Sequence, residues 1–206
     1  MRSHLSLTPI ICLALGFSCI AQSTETRQPE RRPFEINGAP IKDLARELSQ
    51  ICQSGQAGSV SDKFRVMASF KIDPDGSIAK ESIRLVGSSG SMVIDEKTIQ
   101  MLWMIGESHA FGVLSSMSPN TLELQADDGE VKVSITSFAP TPEQAKTKVT
   151  QLKFLLKLVA AQQKTKNPVV SELLSLVALK ADDNRFVLEI PVSRARAAEI
   201  LQNLVK

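Results

Sequence analysis

The side chains of this 206-residue chain that could do chemistry are few and widely spaced. His109 is the only histidine beyond His4. A metal site built on it would need partners at ligand spacing, and Glu107 alone is not a site. The stretch Asp73-Pro74-Asp75-Gly76-Ser77 sets two carboxylates close together, as a calcium loop does. An EF-hand loop needs further oxygen ligands and a closing Glu, and neither stands at the required spacing. Pro74 fixes φ and Gly76 permits a positive φ, so the stretch predicts a reverse turn. Gly87-Ser88-Ser89-Gly90-Ser91 approaches a nucleophile elbow but has Ser91 where the second Gly belongs. No Gly-Lys-Ser/Thr run marks a phosphate loop. Cys52 has no nearby cation or His to lower its pKa and reads as a small apolar residue at a helix end. No catalytic, cofactor-binding or metal-binding set emerges, and the expectation is a protein that is not an enzyme.

Composition narrows the partners. Apolar residues at 43% and charged residues at 22% suit one globular domain or two small ones. The formal charge is +2, with both signs interspersed, which leaves no basic stripe for phosphate contact and disfavours nucleic acid. Aromatics at 4%, with no Tyr, give little surface for stacking bases or sugars.

Residues 1–21 read as a signal peptide. Arg2 and His4 precede an apolar run, and the small residues Ala21 and Ser23 offer cleavage sites. This predicts a periplasmic or secreted protein with no stable membrane span after cleavage. The alternatives are an anchor through the uncleaved segment or through an acylated Cys19. Residues 22–33 form a polar, flexible leader. Cleavage leaves Cys52 as the sole cysteine, so an intramolecular disulfide is excluded and the core must supply stability.

The elements that would position these residues follow from periodicity. Ile41, Leu44, Ala45, Leu48, Ile51 and Cys52 share one helix face. Phe64, Val66, Ala68, Phe70 and Ile72 alternate as a strand with one buried side. The Asp73–Gly76 turn leads to a second strand over residues 83–86, which predicts a hairpin. Ser88, Ser89 and Gly90 end it, and a helix follows over residues 93–109 with Asp95 and Glu96 in its first turn. A second hairpin spans residues 122–126 and 131–138 across Asp127-Asp128-Gly129. Thr141 caps the next helix, with Pro142 at its first position and a core face of Ala145, Val149, Leu152, Leu156 and Val159. Its Lys146, Lys148, Lys153 and Lys157 form a solvated face; contact with an anionic membrane would require exposed bulky apolar residues beside them. Residues 169–179 read as a short helix capped by Ser171. Phe186, Leu188 and Ile190 make a last strand, and Pro191 marks an edge or strand exit. Ser193 caps a terminal helix with Ala197, Ala198, Leu201, Leu204 and Val205 inward. Each half thus has a hairpin followed by a long helix.

The middle of the chain resembles a known family. Phe70, Ile72, Asp73, Asp75 and Gly76, then Ile83, Val86, Ser88, Ser89 and Gly90, then Ile94 and Asp95 follow one another as in the TonB C-terminal domain. The resemblance covers residues about 41–138 and makes Asp73, Asp75, Gly76, Ser88, Ser89, Gly90 and Asp95 its structural and recognition motif. It implies a further strand after the helix, with residues 131–138 or 122–126 as candidates. It also implies capture of an extended peptide from an envelope protein along an exposed strand edge. Energy transduction is not implied, because the leader holds only Pro29 and Pro33 in place of a long Pro-rich spacer.

The expected fold class is α+β: an antiparallel sheet of two hairpins plus a late strand, covered by helices. Residues 34–138 would form the TonB-C-like unit, with 139–206 an extension of no recognised family packed on it. The expected function is a non-catalytic interaction or scaffold module of the cell envelope. The alternative is a periplasmic carrier of a small ligand or lipid, with Met101, Met104, Leu155 and Leu158 lining an apolar pocket between helices.

Overall fold

The computed structural model describes residues 63–109, 111–166 and 168–196. The expected signal peptide, the leader, the helix containing Cys52 and residues 197–205 lie outside them. Period-two alternation produces six strands: β1 (Phe64–Phe70), β2 (Arg84–Gly87), β3 (Asn120–Ala126), β4 (Glu130–Phe138), β5 (Ala178–Asp182) and β6 (Arg185–Ser193). They form one sheet in the order β2-β1-β3-β4-β6-β5, with every neighbouring pair antiparallel. Three α-helices accompany it among the described residues: α1 (Met92–Glu107), α2 (Pro142–Lys166) and α3 (Pro168–Leu176). The class is α+β, as the hydrophobic periodicity predicts.

Register aligns the apolar residues into rows on one face. Phe64, Ala126, Val131 and Val192 lie side by side, as do Val66, Leu124, Val133 and Ile190. A third row runs Ala68, Leu122, Ile135, Leu188 and Leu179. These side chains are buried and join Ile94, Met101, Leu102 and Ile105 of α1, Ala145, Leu152 and Leu156 of α2, and Leu173 and Leu174 of α3 in one core. Because strand side chains alternate, a one-residue slip would turn a whole row outward, so the core itself specifies the register. The opposite face is polar, with Arg65, Thr121, Glu123, Gln125, Lys132, Thr136 and Glu189 in the intervening positions.

The connections give the two halves a common plan. β2 and β3 run in the same direction on either side of β1, and α1 joins them. β4 and β5 likewise flank β6, and α2 with α3 joins them. Each half is therefore a split β-α-β unit. The strand that follows α1 and pairs with β1 is β3.

Three details differ from the sequence reading. The late part of the sheet has two strands, not one: the expected helix over 169–179 ends at Leu176, and Leu179 lies in β5. Ala178-Leu179-Lys180-Ala181 carries helix-favouring residues, and only pairing with β6 across the turn at Asp183 (φ 52°) makes it a strand. Ser171 does not cap its own helix; its hydroxyl donates to the Ala160 carbonyl of α2 at 2.8 Å. α1 stops at Glu107, two residues early, because His109 adopts φ 59°. Other local signals act as read. Thr141 Oγ1 accepts the Gln144 N–H at 3.2 Å, and Ser193 Oγ accepts the Arg196 N–H at 3.3 Å. Pro191 lies past Glu189, where the ladder between β5 and β6 ends.

Candidate functional site

The residues singled out by the sequence gather at the two ends of α1. At its C-terminal end sits the Asp73–Gly76 turn, closed by the Gly76 N–H donating to the Asp73 carbonyl at 2.9 Å. The Asp75 carboxylate accepts the Ser77 N–H at 3.0 Å and the Ser77 hydroxyl at 2.7 Å. These two donors, with a smaller contribution from His109, hold the Asp75 carboxyl below the usual aspartate range against a slight opposing effect of burial. Gly76 has φ +89° and is pressed against the backbone that follows α1: a Cβ there would lie 2.5 Å from Gly112 N and 2.8 Å from the His109 carbonyl. His109 Nδ1 reaches the Asp75 carbonyl at 3.2 Å and its Oδ2 at 3.6 Å. Glycine is required at Gly76 twice over, by conformation and by space.

At the N-terminal end of α1, Asp95 ties the Ser-Ser-Gly loop to the helix. The Ser88 hydroxyl donates to Oδ2 at 2.5 Å, and the Ser89 N–H and hydroxyl donate to Oδ1 at 2.8 and 2.6 Å. Burial pushes the Asp95 carboxyl up, but the two hydroxyls and the Ser89 N–H together outweigh it and leave it below the usual range. Gly90 supplies the left-handed residue of the loop, with φ +82°. The negative charge also sits one turn into α1, where the helix dipole favours it.

The two clusters stand at opposite ends of a 16-residue helix, about 24 Å apart at ~1.5 Å per residue. They form no joint constellation. Their carboxylates are occupied by their own loops, and among the described residues no group of three His, Cys, Asp or Glu is placed to hold a metal ion. What they do is position β2. The chain from β1 to β2 takes 13 residues, 71–83, and wraps the C-terminal half of α1; Ile78 packs so closely on Gly106 that a Cβ there would meet Ile78 Cβ at 2.6 Å. Lys80 lies over the Trp103 ring, 4.9 Å from its centre. β2 then runs along the margin of the sheet, paired with β1 and, among the described residues, with nothing on its other side. Leu85 and Val86 are exposed on it, Val86 at 57%. Beside them, at the start of α1, Met92 is 74% exposed and Val93 is exposed as well. Comparison with protein families, with curated proteins and with solved structures finds no significant match for the chain.

The residues expected to line a carrier pocket do not converge. Met101 is fully buried in the core and Met104 is half-buried, whereas Leu155 and Leu158 face outward from α2. Two polar features escaped the sequence reading. Asn120 and Ser137 are buried register partners in the fourth row of the sheet, between Phe70 and Phe186. Asn120 donates to the Met117 carbonyl at 3.1 Å, while its Oδ1 and Ser137 Oγ have no partner. On the polar face, Glu189 is held by Lys180 at 2.9 Å and Lys132 at 3.1 Å, which together keep its carboxyl below the usual range. Both features depend on cross-strand register, which no local sequence signal encodes.

Proposed function

We propose that the chain is an exported, non-catalytic interaction module of the cell envelope, and that the outer edge of β2 takes up an extended segment of a partner protein as an added strand. The observation that carries this reading is the margin at β2: a four-residue strand with one side unpaired among the described residues, flanked by exposed Leu85, Val86, Met92 and Val93. An unpaired edge presents N–H and C=O groups as a template for another strand, and nearby apolar side chains supply selectivity. The clusters at the two ends of α1 support the reading, because an edge fixed in advance loses less freedom on binding. β5, at the other margin, exposes Lys180 and Asp182, and charge on an edge opposes such pairing. The resemblance to the TonB C-terminal domain supports the same recognition mode, without its energy transduction.

The test has two steps. A photo-crosslinking residue at position 92 in the exporting cell identifies the partner, with position 180 as the comparison. Amide exchange is then measured on the purified complex. Slower exchange over residues 84–87, lost in Val86→Pro, is the expected result. Unchanged exchange there in a stable complex would remove β2 as the docking edge.

A further inference from the structure

The outer side of α2 carries a feature that the β2 reading does not use. Six lysines stand on this helix against the single Glu143, a net of +5 in a chain whose total is +2. Lys146, Lys153, Lys157 and Lys164 are spaced seven, four and seven residues apart. At ~3.6 residues per turn they fall in one row along about 27 Å of helix. All four are exposed, and no carboxylate among the described residues pairs with them. Lys148 stands on the opposite flank of the helix. Between the two flanks lie Phe154, 62% exposed, and the exposed Leu155 and Leu158. The inner side of the same helix is fully engaged, with Ala145, Val149, Leu152 and Leu156 buried in the core.

We propose that this side of α2 is a docking surface for an anionic lipid bilayer. Bulky apolar side chains between rows of lysine match an interface whose outer layer is negative and whose next layer is apolar. Lysine stems can lie along the apolar boundary while the ammonium groups remain at the headgroups. An acidic protein or polymer would use the lysines but would gain little from Phe154 at the centre. The helix would lie on the surface rather than cross it: among the described residues no helix is long and apolar enough to span a membrane.

The test is co-sedimentation of the purified chain with vesicles of phosphatidylcholine alone and of phosphatidylcholine with phosphatidylglycerol in equal parts. Variants share the rest of the chain, so any contribution from residues 1–21 is common to all. The expected result is binding to the anionic vesicles that weakens with salt. Lys153→Gln with Lys157→Gln lowers it roughly 25-fold, at ~1 kcal/mol per lysine. Phe154→Ser lowers it roughly tenfold with the charge unchanged. Absence of binding overturns the proposal. So does binding indifferent to Phe154→Ser, or competed equally by soluble polyaspartate, either of which would make the face a site for an acidic macromolecule.

Discussion

α1 and α2 cover the same sheet but are held in different ways. α1 is fixed at its ends: Asp95 ties its start to the Ser-Ser-Gly loop, and Gly76 with His109 closes its finish. α2 is fixed along its inner side by a row of buried apolar residues, with a single threonine cap at its start. The motif-rich helix therefore carries no reactive group, and the motif-poor one presents the more unusual surface. A dense run of turn and cap residues marks where the chain must be positioned. Whether chemistry happens there depends on whether any polar group is left unoccupied, and at α1 the loops occupy their own.

The contrast breaks most readily at Gly76. Alanine there must adopt a left-handed conformation and push against the Gly112 backbone, at a cost of about 2–5 kcal/mol. Gly90→Ala faces the same conformational demand in open space and costs about 1–2 kcal/mol. Urea midpoints of the two variants separate the terms. Equal costs would mean that close approach does not hold the C-terminal end of α1.

Asp95→Asn is the next largest effect, about 1–2 kcal/mol near neutral pH, because it weakens three charge-assisted hydrogen bonds at a half-buried site. The sign with pH is fixed. The folded-state pKa lies below the unfolded value of ~3.9, so the stabilisation is complete above that value and is lost as pH falls through the folded one. Stability profiles from pH 7 down to pH 3 should fall less steeply in Asp95→Asn than in the parent. Asp75, Asp127 and Glu189 are lowered too, so part of the acid slope remains. An unchanged slope would show that the loop and helix are joined by packing alone.

The legibility of the molecule divides along the same line. β1, β4 and β6 were readable because each alternates over five or more residues with one side buried. Thr141, Asp73–Gly76 and Asp127–Gly129 were readable because cap and turn chemistry is local. β5 was not, since its residues favour helix and only β6 makes them a strand. The exposure of Val86 and Met92 was not readable either, because an edge is defined by the strand order of the whole sheet. Phe154 illustrates the limit best. Apolar residues lie on opposite sides of α2, so their contributions to a helical moment cancel, and the pattern of the sequence conceals both faces.

Thr141→Ala probes the one local device on α2. Losing the cap to the Gln144 N–H should cost about 1 kcal/mol. That is no more than Asp95→Asn, although α2 has 25 residues against 16 in α1. A larger loss would mean that α2 too depends on its end.

The smallest effect tests the other half of the contrast. If α2 is held only from inside, Phe154→Ser should change the unfolding free energy by no more than about 0.5 kcal/mol, because an exposed side chain away from caps and core has little to lose. A drop of several kcal/mol would show that Phe154 is packed, and the membrane-facing reading of that side would fall with it. An unchanged or slightly raised midpoint would leave a bulky aromatic residue exposed among lysines with no part in holding the fold, which is the condition a docking surface requires.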